Sequence, residues 1–167
     1  VECFGGFDGE ITSNVSGGTP SVTGYEYNWT INSNPIGVNS FISGLPYSSA
    51  PYAMTVTDSF GCETTVLAYI NQPDALVLDT SEIVSAYCLN IASGDASVVT
   101  SGGFLNTNGS YSYSWSTGDT TSYITDKVAG TYTVIVEDDN ACTDTLSIDI
   151  PLVETFTLSA TSNALNC

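Results

Sequence analysis

The chain has 167 residues, with 18 Asp and Glu set against a single Lys or Arg, no His, and a formal net charge of −17 at pH 7. One cation, Lys127, cannot neutralise a run of phosphates, which excludes nucleic-acid binding and docking on anionic membrane surfaces. The absence of His removes the commonest general base and metal ligand, so no enzymatic activity and no cofactor are expected.

Hydrophobic residues make up 42% of the chain and charged residues 11%, so the acidity coats a folded body and is not that of a disordered tail. No apolar run approaches the length needed to cross a bilayer, so membrane insertion is not expected. No signal peptide opens the chain, which reads as a mature or excised fragment.

Taken along the chain, Cys3 and Gly9-Glu10 precede an alternation of Ile11, Ser13 and Val15 that runs up to a Gly17-Gly18 turn. Tyr25, Tyr27 and Trp29 alternate after that turn. Loop composition follows in Asn32–Ser40, and Tyr52, Met54 and Val56 then alternate towards Asp58 and Cys62. Val66, Ala68 and Ile70 continue the pattern to Pro73. This period-two patterning of aromatic and β-branched residues, punctuated by Gly, Asn and Asp, predicts strands throughout and no helix.

The same order then returns: Cys88, Gly94-Asp95, Gly102-Gly103, Tyr111-x-Tyr113-x-Trp115, Tyr132, Val136, Asp138, Cys142, Ile150 and Pro151. The offset is about 85 residues at the start and about 80 at the end, so the first copy carries extra residues between Trp29 and Tyr52, where a surface loop lengthens without touching a core. Leu76 and Leu78 start the first strand of the second copy, and Phe156 and Leu158 that of a third. The expected organisation is a β-sandwich copy over 1–72 that lacks its first strand, a second over 73–150, and the first strand of a third over 151–167. The expected fold is all-β, as tandem immunoglobulin-like (PKD-like) sandwiches with Trp29 and Trp115 as core aromatics.

The five cysteines are widely spaced, with no zinc-like pattern, and point to disulfides in an oxidising compartment. A sandwich of this size is marginal alone, and closing a loop of fifty to sixty residues contributes roughly 2–4 kcal/mol. Pairing within copies, Cys3–Cys62 and Cys88–Cys142, is the expectation, because it uses one cysteine of each class and makes each copy self-sufficient. Cys167 is then unpaired in the fragment, opening the third copy. Cys3–Cys142 is the alternative: a first-strand cysteine and a last-strand cysteine at opposite ends of one sandwich would meet only across a junction.

Asp58 and Asp138 follow a strand and precede the next, and are expected to accept backbone N–H bonds within hairpin turns. A calcium site is the competing reading, but no ligand ladder of alternating acids is present. Tyr25, Tyr27, Tyr111 and Tyr113 are either core-packed or a platform for sugar rings. No pair of carboxylates is spaced to mark a glycosidase dyad, and Ser and Thr have no activating His.

The ordered motif resembles the SprB repeat. The second copy carries it most fully, through Tyr111–Gly118 and Ala129–Val136; the first departs in its longer loop and at Pro51-Tyr52, and the second has Ala141-Cys142 where Gly61-Cys62 keeps the pattern. That resemblance implies a very large surface protein of Bacteroidota, exported by the type IX secretion system, whose best-known member is a gliding adhesin. It further implies an extracellular, outer-membrane-associated location at the cell surface and a stalk role in a long filament. The implied partners are neighbouring repeats of the same chain, with a surface polysaccharide or the substratum outside it. A carbohydrate-binding module of an extracellular protein is the rival reading.

Overall fold

The computed structural model describes residues 1–88, 90–107, 109–153 and 159–161. Among them lie twelve strands and no helix. The first copy contains β1 (Gly9–Thr12), β2 (Glu26–Ile31), β3 (Asn34–Gly37), β4 (Phe41–Leu45), β5 (Tyr52–Thr57) and β6 (Glu63–Ala68). The second contains β7 (Asp74–Val84), β8 (Gly94–Gly103), β9 (Ser112–Trp115), β10 (Tyr123–Lys127), β11 (Gly130–Glu137) and β12 (Thr143–Ile150).

In the first copy β1 pairs β4, and a second sheet runs β3-β2-β5-β6. In the second copy the sheets are β10-β8-β7 and β12-β11-β9. Each copy thus splits its strands between two antiparallel layers in the order of an immunoglobulin-like sandwich. The fold is all-β, as the alternating sequence requires.

Two compact units form. The first comprises Val1–Leu76, Gly102–Gly109 and Asp139–Cys142; the second comprises Val77–Ser101, Ser110–Asp138 and the chain from Thr143 onward. The units therefore do not follow the sequence copies, since two turns of the second copy belong to the first unit.

The core of the first unit gathers Trp29, Ile42, Leu45, Tyr52, Met54, Val56 and Ile70. In the second, Ala96, Val98, Trp115, Ile124, Val134, Val136, Ile148 and Ile150 are buried. Both tryptophans lie in the core as the sequence predicts, at 1% and 3% exposure. Each fixes its indole N–H on a loop carbonyl, Trp29 to Asn39 and Trp115 to Thr121, both at 2.8 Å, so neither leaves a buried donor unpaired.

The Gly-acid step of each copy has a packing reason. A Cβ on Gly9 would sit 2.9 Å from Cγ2 of Ile70, and one on Gly94 would sit 2.5 Å from Cγ2 of Ile150. Only glycine lets the start of β1 or β8 lie against the isoleucine that ends the copy.

The burial expected of Val66 differs from the structure. Val66 is 52% exposed instead of alternating inward with Ala68 and Ile70. The reason is visible in the sheets: β8 has β7 on one flank and β10 on the other, whereas β1 is paired only with β4. An apolar groove along Ile11, Val15, Met54, Val66 and Ala68 stays open in the first copy. The strand expected around Phe156 and Leu158 lies outside the described residues.

Tyr52 and Tyr132 have a role that the alternation does not reveal. Tyr52 opens β5 and Tyr132 lies near the start of β11, and each donates its phenol O–H backwards, Tyr52 to Pro46 O at 2.7 Å and Tyr132 to Val128 O at 2.8 Å. This is the tyrosine corner of immunoglobulin-like sandwiches. Burial pushes the Tyr52 phenol above its ordinary pKa. Tyr52→Phe is expected to cost about 1–2 kcal/mol, because a partly buried carbonyl loses its donor, and Trp29→Ala about 3–5 kcal/mol. Denaturant midpoints at unchanged slope measure both, and a silent Tyr52→Phe would remove the corner from the account.

Candidate functional site

No catalytic or metal constellation was expected, so the cysteines and the turns they follow are the site to build. In each copy the strand before the cysteine ends in a tight turn opened by an aspartate. Asp58 Oδ1 accepts from the N–H of Phe60 and of Cys62, both at 2.9 Å, and Oδ2 accepts from Thr19 N–H at 3.1 Å. The carboxylate thus closes its own turn and ties it to the loop after Gly17-Gly18. These bonds, from Cys62 first and Thr19 next, hold the Asp58 carboxyl below its ordinary pKa. The expectation of an acid engaged by backbone N–H groups describes this geometry. Asp138 occupies the same position in the second copy and is buried. Among the described residues no group of three or more His, Cys, Asp or Glu is arranged to hold a metal ion.

The turns match in detail. Ser59 N–H donates to Thr19 O at 2.9 Å, and its counterpart Asp139 N–H donates to Phe104 O at 3.1 Å. Both glycines of each Gly-Gly pair have positive φ, as do Gly61 and Ala141 before the cysteines. The left-handed residue before Cys is why glycine suits the first copy; Ala141 adopts the same conformation at some strain.

The preferred pairing is corrected by the structure: Cys3 and Cys142 are bonded, with Cα atoms 5.7 Å apart, and Cys62 and Cys88 are free and exposed. Cys3–Cys62 fails on distance. The Cys3 segment lies at the far end of β6, where the Val1 amine donates to Asn71 O at 2.7 Å and Gly5 N–H to Gln72 Oε1 at 3.0 Å. Cys62 stands just before the near end of β6. A strand of that length separates them by roughly 20 Å or more, and a disulfide needs Cα atoms within about 7 Å.

Cys88–Cys142 fails in the same way. Cys88 lies beside the segment after β12, since Ala86 N–H donates to Pro151 O at 2.9 Å and Val153 N–H to Ala86 O at 2.8 Å, while Cys142 precedes β12. The bond that forms is the alternative pairing, between the opening segment of one copy and the hairpin turn of the next, and both cysteines belong to the first unit. Beside it, Asn140 Nδ2–H donates to Glu2 O at 2.9 Å. Cys167 lies outside the described residues.

The tyrosines expected as core or platform are half-buried. Tyr25 donates to Gly17 O at 2.6 Å, and Tyr113 O–H and Thr100 Oγ1 lie 3.1 Å apart. Tyr25 and Tyr27 pack against the core of the first unit. Lys127 pairs with Asp119 Oδ2 at 2.9 Å, and the Asp119 carboxyl is held low by Thr117 first and then by Lys127.

A strand order of this kind, with tryptophan cores, tyrosine corners and aspartate-held turns, defines a tandem immunoglobulin-like β-sandwich. The SprB repeat family model matches residues 1–34. No curated protein matches the chain. Among solved structures, the three N-terminal domains of the Highly Immunogenic Outer Capsid protein (Hoc) of bacteriophage RB49 are similar at a TM-score of 0.54 and 23% identity, over 90% of this chain and 56% of that one. The chain therefore spans little more than half of that structure, and the likeness is one of fold. Fibronectin(III)-like modules of CbhA from Clostridium thermocellum give a TM-score of 0.35 at 14% identity, over 95% and 94% of the two chains. The amphioxus IgVJ-C2 molecule gives 0.33 at 15%, over 90% and 99%.

Reduction is expected to lower the melting temperature substantially, since the bond closes a sequence separation of 139 residues, for which loop entropy gives about 5 kcal/mol. Cys3→Ser and Cys142→Ser should each reproduce the loss and Cys62→Ser should not; equal melting of all three would refute the pairing. The acid limb of stability should depend on Asp58. Its folded pKa is depressed, so its contribution is present above the unfolded value of about 3.9 and disappears as pH falls through the folded value. Subtracting the Asp58→Ala profile from that of the parent chain isolates this slope from the general relief of acidic repulsion. A difference that stays constant between pH 6 and pH 2 would contradict it.

Proposed function

We propose that the chain is a non-enzymatic structural module: a length of stalk in a long cell-surface adhesin, with a part in surface attachment and gliding. A repeat module of a cell-surface protein is the coarse reading supported by the SprB repeat match over 1–34 together with the immunoglobulin-like fold. The finer reading adds export by the type IX route, an outer-surface location and a filament built of such copies.

The observation that carries the stalk is the Cys3–Cys142 bond. A bond from the start of one sequence copy to a turn of the next resists separation of the copies under a pull, which a module evolved only to present a binding site does not need. Only the segment Tyr69–Pro73 lies between β6 and β7, so there is no long linker to absorb extension. Neighbouring copies are the first partners of each module, and the substratum or a surface polysaccharide is met by the filament as a whole.

The carbohydrate-binding reading finds less support, because Tyr25 and Tyr113 hydrogen-bond within their own copy and Tyr25 and Tyr27 pack against its core. A glycan array on this chain is expected to give no saturable binding to any one sugar class, and strong binding to one class would overturn the stalk in favour of that module. In a gliding bacterium carrying the parent gene, in-frame deletion of copies should shorten the surface filament and weaken attachment while leaving secretion intact.

A further inference from the structure

The free cysteines are not leftovers of a mispaired chain. Three bonds of the Cys3 environment are repeated around Cys88. Gly6 N–H donates to Cys3 O at 3.0 Å and Ile91 N–H to Cys88 O at 3.2 Å. Glu2 N–H donates to an Asp8 carboxylate oxygen at 3.0 Å and Tyr87 N–H to Ser93 Oγ at 3.0 Å. The Val1 amine bonds Asn71 O and Ala86 N–H bonds Pro151 O. In the same way, the turn that holds Cys62 repeats the turn that holds Cys142, with matching Gly-Gly conformations and matching Ser59–Thr19 and Asp139–Phe104 bonds.

Cys3 and Cys142 are half-buried by their junction, while Cys62 and Cys88 are exposed. Large apolar side chains are exposed beside both free thiols: Phe60 at 79% near Cys62, and Tyr87 at 65% and Ile91 at 54% near Cys88. Phe60 stands where the second copy has Asn140, and Tyr87 where the first copy has Glu2. Those two positions, Asn140 and Glu2, are the ones in contact at the formed junction.

We propose that Cys88 and Cys62 are the two complementary halves of one recurring inter-repeat junction, so that a second copy of this chain docks its Cys62 turn on the Cys88 segment and is bonded there. The inference rests on the stalk reading and gives it a joining rule: an opening-segment cysteine bonds only the turn cysteine of the following copy. The contact is heterologous and does not close on itself, so it propagates as a line. Each bond formed takes two protons and two electrons from the two thiols. A disulfide-class oxidant accepts them through thiol–disulfide exchange and is itself reduced to two thiols.

The test uses the 167-residue chain with Cys167→Ser, concentrated in a glutathione redox buffer at high ionic strength to screen the acidic repulsion. Non-reducing gels should show a ladder, and peptide mapping should return Cys62–Cys88 links at least tenfold over Cys62–Cys62 and Cys88–Cys88. Adding Cys62→Ser or Cys88→Ser should each abolish the ladder, and mixing the two variants should restore dimers alone. Homodimers from either single variant, statistical pairing, or no linkage would overturn the proposal.

A register-preserving chain, residues 1–150 followed by a further copy of 73–150, gives an independent reading. Cys88 should there be bonded to the turn cysteine of the appended copy, and a free Cys88 or one bonded elsewhere would overturn the rule. Either failure removes the junction rule while the filament-length and attachment assays still judge the stalk.

Discussion

The bond between Cys3 and Cys142 is the constraint to which the rest of the first unit is fitted. It obliges the opening segment, the end of the first copy and two turns of the second copy to form one compact body. The backbone around Cys3 is held by the Asn71 and Gln72 bonds, and the backbone around Cys142 by an aspartate-opened turn, so the two sulfurs are presented by rigid supports rather than by loose termini. A small sandwich buries too little surface to be secure by itself, and here the missing stability is supplied across the boundary between copies. Repeat proteins in general derive much of their stability from such nearest-neighbour terms; in this chain one of those terms is covalent.

The turns and corners explain why so many polar residues are compatible with this fold. Loop carbonyls accept the Tyr52 and Tyr132 phenols and the two indole N–H groups. Asp58 satisfies three N–H groups at once. With one Lys in the chain, ion pairing reaches Asp119, and for Asp58 backbone donors take that part. Asp138 is buried, and most of the other acids are exposed or half-buried and keep chains apart, which matters for a protein that exposes free thiols.

Most of the fold was legible in the sequence, because a period of two and a long internal repeat are strong signals. Trp29, Trp115 and the alternating sets of β5 and β11 are buried as their pattern indicates. Val66 was misjudged because period-two patterning gives the face of a residue but not whether a neighbouring strand covers that face. The tyrosine corners were hidden because Tyr52 and Tyr132 fit the strand alternation without any further role. The disulfide was the hardest to read. Sequence spacing treats Cys3 and Cys62 as members of one copy, whereas strand direction puts them at opposite ends of it; counting classes of cysteine favoured self-sufficiency, and the length of β6 rules it out.

That error is instructive about how repeated chains encode assembly. When a sandwich carries its two cysteines at opposite ends, no copy can close its own bond, and each copy is left with one half-junction facing back along the sequence and one facing forward. The two halves differ in kind, an opening segment and a hairpin turn, so under the proposed rule unlike ends meet. Direction is thereby written into every junction without any residue that varies from copy to copy. With Phe60 in place of Asn140 and Tyr87 in place of Glu2, the Cys62 turn and the Cys88 segment keep the backbone bonds of their bonded counterparts. The specificity of the joint lies in main-chain geometry, which a repeat preserves automatically.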